Sequence, residues 1–400
     1  MPTKADKRKK KSLKERLRER QVKYQKALEA HRIRLEKEIK RRSKRWTRGK
    51  VLLALSAVIL VLLGIYIALY YTPPSTQPQQ ETSQSQPQQQ PLSANVIYIW
   101  PDGRVEPESA PIVNMSANYY IFTDDVQLPI IVLKDNIVID GASHVLKGSR
   151  EAGSKGLDLT GRKNVTIMNL KIQGFDYGIY LNMASGNTLL QNELTDNYCG
   201  IWIIVSSGNN ITSNKIIKNE FYAISFRNST GNVISKNEIR AHNNYTLYFG
   251  YSAGNIIHSN NITDNRLGVF LYASSNNTMF YNVITKNYEG FHLFNSKQNL
   301  IKMNKLLNNT LGLVLSASSL DNIIYGNNFI KNAVHAEAEN ATNIWDNGYS
   351  EGGNYWDDYK DKYPDAQELD GSGIWNVPYI INENNQDRYP KVNPISIPYP

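Results

Sequence analysis

The chain repeats itself at a nearly constant interval. An Asn follows a turn at Asn164, Asn187, Asn210, Asn232, Asn255, Asn277, Asn299, Asn322 and Asn343, so the spacings are 23, 23, 22, 23, 22, 22, 23 and 21 residues. The intervals are filled with Ile, Val, Leu, Phe and Tyr and show no helical stripe. One such interval cannot bury its own apolar face, but a stack of them makes a continuous core. A period this regular therefore confines the chain to a β-solenoid.

Aligning the intervals on Gly200 shows which side chains face inward. The residue after it forms the column Ile179, Ile201, Ile224, Leu247, Val269, Phe291, Leu313, Val334, and two positions on stand Leu181, Ile203, Phe226, Phe249, Leu271, Leu293, Leu315, Ala336. A third apolar column runs Leu194, Ile216, Ile239, Ile262, Ile284, Leu306, Phe329. Alternation along a strand makes all three inward. Two Asn columns mark corners: Asn169, Asn192, Asn214, Asn237, Asn260, Asn282, Asn304, Asn327, and Asn197, Asn219, Asn243, Asn265, Asn287, Asn309, Asn332. Asn tolerates left-handed backbone, and stacked amides can hydrogen-bond from coil to coil.

The informative column lies between the first two: Tyr180, Trp202, Ser225, Tyr248, Phe270, His292, Val314, His335. It faces outward, with successive residues ~4.8 Å apart. Flat rings with polar rims in such a row suit sugar rings, which makes Tyr180, Trp202, Tyr248, Phe270 and His292 the candidate ligand-binding residues. Aromatic stacking that merely stabilises the sheet is the plainer alternative. Catalysis has little support. Glycosidases need paired carboxyls ~5–9.5 Å apart, whereas Glu193–Lys215–Glu238 and Asp196–Lys218–His242–Asp264–Lys286 alternate in sign and read as charge ladders. The set Asn-Thr-Asp, Asp-Asp and Gly-His-Gly expected of a polygalacturonase is absent, and no catalytic residue is assigned.

Charge separates the ends of the chain. Residues 1–50 carry 22 Lys+Arg against 6 Asp+Glu, a net of +16, while the remainder carries −7. The overall pI near 9.2 is thus an average, and no nucleic-acid partner is expected. Residues 1–50 read as a cytoplasmic basic helical segment. Residues 51–71 are uncharged and long enough to cross a ~30 Å hydrocarbon core, predicting an uncleaved single-pass anchor with the N-terminus inside. Residues 72–93 are Pro/Gln/Ser-rich and read as a stalk. Residues 94–163 predict an N-terminal cap and first coils, residues 164–345 the regular repeats, and residues 346–400 a C-terminal cap. Cys199 is the only cysteine, which excludes an intrachain disulfide. Sequons with good turn chemistry single out Asn228, Asn244 and Asn276 for glycosylation.

The columns, together with IVIDGASHVLKG, NVTIMNLKIQGFDYGIYL and the ending GGNYWDDY…VPYI…DRYP, resemble the NosD-like family of right-handed parallel β-helix proteins, over about residues 95–395. That family includes periplasmic copper-associated proteins and archaeal surface proteins with carbohydrate-binding/sugar-hydrolase (CASH) repeats. The resemblance implies an all-β right-handed parallel β-helix. It also implies an Asp-rich, calcium-type loop between the two terminal motifs, where this chain has LDGSGIWN: Asp370 matches, while Ser372 and Asn376 stand where acids are expected. The residues support neither calcium nor copper, so no cofactor is assigned. The function expected is non-catalytic binding of polysaccharide or envelope glycan by a membrane-anchored extracellular β-helix. A structural or adhesive scaffold is the alternative, followed by a polysaccharide lyase, hydrolase or epimerase, or a copper-associated protein.

Overall fold

The computed structural model describes residues 95–339, 342–349 and 351–398, all within the compact unit Gln89–Pro400. The basic segment, the membrane anchor and the stalk predicted from the sequence lie outside the described residues. Among the described residues, no helix is long and apolar enough to cross a membrane.

Each turn is built from one long and two short strands. In a representative turn these are Cys199–Ile204, Asn210–Thr212 and Lys215–Ile217, after which Tyr222–Arg227 begins the next. Equivalent strands stack in parallel into sheets of 12, 11 and 10 strands, giving a parallel β-solenoid of about ten turns. The register repeats without a slip along the long strands: Ile201 pairs with Ile224, Trp202 with Ser225 and Ile203 with Phe226. Displacing a strand by one residue would turn the whole apolar set outward, so the buried face holds the register.

The three inward columns are buried as far as Leu313, Leu315 and Phe329, and Phe226 and Phe249 stack inside with ring centroids 4.6 Å apart. A fourth inward column, Ile167, Leu189, Ile211, Ile234, Ile257, Met279, Ile301 and Ile324, comes from the second sheet and completes the lining.

The corners are held by amide ladders, and here the structure corrects four positions of the sequence alignment. Along one corner each Asn Oδ1 accepts both the backbone N–H and the side-chain amide of the Asn one turn before: Asn260 Oδ1 accepts from Asn237 N at 3.1 Å and from Asn237 Nδ2 at 2.9 Å. The ladder begins at Leu170 rather than Asn169, which sits one residue earlier at φ 53°. At the second corner His242, not Asn243, takes the ladder place, with Nδ1 3.1 Å from Asn265 Oδ1 and Nε2 3.4 Å from Asn219 Nδ2. His242 is consequently absent from the predicted charge ladder, where Ala241 occupies the left-handed position. A third Asn ladder follows the repeat-marking residues, but begins at Val165 in place of Asn164 and runs through Asn209 in place of Asn210. Beside it, Ser206, Ser229, Ser252, Ser274, Ser296 and Ser319 form a hydroxyl ladder.

The last turn is shifted by two residues from the sequence alignment. Leu313 pairs with Ala336, Val314 with Glu337 and Leu315 with Ala338. Glu337 therefore stands in the outward column where His335 was expected, and Val334 is exposed.

Both ends of the stack are closed. At the first, Ile97–Ile99 pairs antiparallel with Val105–Glu106, and Ile112–Ser116 pairs antiparallel with Tyr119–Phe122. At the other, Phe329, Trp356 and Tyr379 stack with centroids 4.3 and 4.1 Å apart. The closing segment also supplies the last rungs of two ladders: Asn354 accepts from Asn327 and Asn385 from Asn343. Asn354 N in turn donates to Asp387 at 2.7 Å.

Candidate functional site

The outer face of the long-strand sheet carries rings in rows. On each strand three positions face out, exemplified by Cys199, Trp202 and Ile204, so three columns run along the sheet. The first holds Tyr177, Tyr222, Tyr245 and Glu289; the second Tyr180, Trp202, Ser225, Tyr248, Phe270, His292, Val314 and Glu337; the third Arg227, Tyr272, Phe294 and Ser316.

The rings of the first two columns interlock. Tyr177 meets Trp202 edge-on at 5.2 Å, Trp202 meets Tyr222 at 5.9 Å, Tyr222 meets Tyr248 at 5.4 Å and Tyr245 meets Phe270 at 5.2 Å. Tyr180, Trp202 and Tyr248 stay half-exposed, whereas Phe270 and His292 are buried. Ser225 breaks the ring row, and Arg227 fills the space above it: its guanidinium carbon lies 4.7 Å from the Trp202 ring centre and 5.3 Å from that of Tyr248. Nη2 donates to Tyr222 Oη at 3.3 Å, while Nε and the buried Ser225 Oγ have no partner among the described residues. Burial raises the Tyr248 phenol and pushes that of Tyr245 up to about 12, so both remain O–H donors at neutral pH.

At the far end of the stripe Phe270 meets the edge of His292 at 5.0 Å. His292 Nδ1 lies 2.7 Å from Glu289 Oε2 and its Nε2 lies 2.9 Å from Ser316 Oγ. Glu337 is close by; burial raises its carboxyl, and Glu339 and Glu289 add to the rise. The sequence reading found no neighbouring carboxylates on the repeats. The two-residue shift of the last turn is what brings Glu337 into the column.

His335 instead faces the closing segment, with Nε2 2.9 Å from Asp357 and 3.3 Å from Asp358. Although burial opposes it, His335 and Lys362 hold the Asp358 carboxyl down at about 2. His292 and His335 therefore do not share a column. Asp370 is exposed and accepts from Tyr349 Oη in place of gathering other acids. Among the described residues, only Asp124, Asp125 and His144 bring three His, Cys, Asp or Glu ligand atoms together. Cys199 is buried and its thiol is pushed up by burial. Of the sequon asparagines, Asn228 and Asn276 are exposed, while Asn244 is half-buried with Nδ2 3.4 Å from Glu220 O.

Arg227, Glu289, Ser316 and Glu337 were not singled out in the sequence. A signal for the first three existed: they stand on the same strands as the stripe, two residues after or three before its column.

The profile of the family described as periplasmic copper-binding protein (NosD) matches residues 119–289 and 222–361, which together span more than half of the chain. The chain belongs to the NosD family. No curated protein matches this NosD-family chain. Among solved structures, it is similar to the periplasmic alginate epimerase AlgG, with 19% identity over 57% of this chain and 68% of that one and a TM-score of 0.46. It is also similar to an exopolygalacturonase from Thermotoga maritima, with 12% identity over 58% and 73% of the two chains and a TM-score of 0.42. A third is DFA-IIIase from Arthrobacter chlorophenolicus A6, with 14% identity over 58% and 68% and a TM-score of 0.41. Likeness at this level carries no functional argument.

Proposed function

We propose that this NosD-family chain binds polysaccharide along the outer face of its long-strand sheet, displayed outside the cytoplasm by an N-terminal single-pass anchor. The observation that carries the reading is the half-exposed row Tyr180, Trp202 and Tyr248 with Arg227 set among the rings. The rings offer flat apolar faces, and the half-buried Arg227 guanidinium set among them offers charged N–H donors to a sugar oxygen, either hydroxyl or carboxylate. Phe270 and His292 are too buried to stack on a sugar and bound the surface at one end.

Copper is not read onto the described residues. It favours histidine and thiolate or thioether donors, and here the histidines are dispersed: His242 serves the Asn ladder, His292 pairs with Glu289, and His335 pairs with Asp357. The Asp124–Asp125–His144 group is two-thirds carboxylate, a donor set for a hard cation rather than for copper.

A scaffold role is the second reading, favoured by the edge-to-face packing of the rings on each other. Retention of the purified full chain on immobilised polysaccharides separates the two. Trp202→Ala and Tyr248→Ala are expected to lower affinity at least ~5-fold, about 1 kcal/mol, with melting temperature little changed. Lost thermal stability with unchanged retention would favour the scaffold.

A further inference from the structure

Ser316, His292 and Glu289 form a hydrogen-bonded relay at the buried end of the stripe. Glu289 lies in the first outward column, His292 in the second and Ser316 in the third, on the adjacent strands Glu289–Phe294 and Leu311–Ser316. A carboxylate only accepts, so imidazole Nδ1–H donates to Glu289 Oε2, at 2.7 Å. In the neutral ring that leaves the Nε2 lone pair facing Ser316 Oγ at 2.9 Å, and the hydroxyl donates to it. Both separations are those of an activated nucleophile with an oriented base. The burial gradient also fits: the Glu289 side chain is 1% exposed and that of His292 6%, while Ser316 is half-buried and reachable.

The structural duty of serine in this fold is performed elsewhere. Ser296 and Ser319 hydroxyls accept from and donate to main chain in the corner ladder, whereas Ser316 Oγ contacts only the imidazole among the described residues. Phe294, in register beside Ser316, gives an apolar wall for a short acyl group.

We infer that this relay hydrolyses esters, with O-acylated polysaccharide as the substrate class, a choice that rests on the glycan-binding reading. Ser316 Oγ attacks the acyl carbonyl carbon as its proton passes to His292 Nε2, and Glu289 stabilises the imidazolium. The bond from the acyl carbon to the sugar oxygen breaks as Nε2 returns the proton to that oxygen, freeing the sugar hydroxyl. Water then attacks the acyl-serine, gives a proton to Nε2 and releases the carboxylic acid as Ser316 regains its proton. The glycosidic bond is untouched, in keeping with the charge ladders along the repeats.

The test uses the purified full chain with a fluorophosphonate probe, 4-nitrophenyl acetate and O-acetylated xylan. The expected result is a covalent adduct on the peptide containing Ser316. Acetate release from both esters is expected to fall by at least ~10³-fold in Ser316→Ala and His292→Asn. The label on the unmodified chain needs no variant to fold. Absence of label and of acetate release in a folded chain overturns the relay, as does release undiminished in Ser316→Ala. Glycan retention without label or release removes the relay and leaves the binding reading. Label at Ser316 with hydrolysis of 4-nitrophenyl acetate, but no retention of any glycan, establishes the relay and removes the polysaccharide assignment.

Discussion

At the scale of single residues, His242 is the exception in a column otherwise made of Asn. Its ring spans the gap between Asn219 and Asn265 and reproduces part of the amide pattern, but it brings a titratable group into the wall. Burial depresses its pKa to about 4, against an ordinary 6.5. The folded value lies below the unfolded one, so the contribution is fully present above pH 6.5 and is lost as pH falls toward 4, by roughly 3 kcal/mol. His242→Asn should restore the ladder and remove that loss. Chemical denaturation at pH 7 and pH 4.5 is expected to show a much smaller decline for the variant; equal declines would mean that the imidazole is not the titrating group. Arg227 is the other residue-scale exception. Its guanidinium lies on two ring faces, and its buried Nε has no partner among the described residues.

At the scale of elements, the closing segment behaves as a partial turn. It supplies Asn354 and Asn385 as ladder rungs, and Asn354 ends its own ladder on Asp387, which is fully buried. Four N–H contacts reach this carboxylate: Asn354 N and Trp356 Nε1 at 2.7 and 2.9 Å, Tyr389 N at 3.1 Å and Asn354 Nδ2 at 3.4 Å. Burial pushes the carboxyl up to about 7 against those donors. Because every partner donates, an amide in its place must set its own N–H against another. Asp387→Asn is therefore expected to cost about 1–3 kcal/mol at pH 8. Amide exchange should quicken first around Gly353–Asp357 and Tyr379–Tyr389, with the central turns unaffected. Uniform quickening would mean that the closing segment and the stack unfold as one.

At the scale of the whole molecule, parallel turns make a core that is open at both ends, and stability near an end depends on what covers it. Without the closing segment, the last turn would show Phe329 and the unpaired edge of Val334–Ala338 to solvent. Such an edge is a template for further pairing. A chain ending at Glu339 is expected to associate into soluble oligomers or precipitate, seen by light scattering on material that remains β-rich by circular dichroism. A monomer with unchanged melting would show the segment to be dispensable. Placement of the stripe on the longest strands also belongs to this scale: only they are long enough to carry three outward columns side by side.

The sequence by itself determined the solenoid, its period, three of its four inward columns and the ring-bearing outward column from Tyr180 to Val314. Those features are local, written in strand alternation and in the recurrence of Asn at corners. The tertiary structure alone decided where the register steps. Whether His242 or Asn243 enters the ladder depends on which side chain meets Asn265. Whether His335 or Glu337 joins the stripe depends on how the last long strand, Val334–Ala338, pairs with Leu311–Ser316. The Glu289–His292–Ser316 relay was hidden for the same reason. Its members occupy three different columns on two strands, and columns are brought side by side only when turns stack.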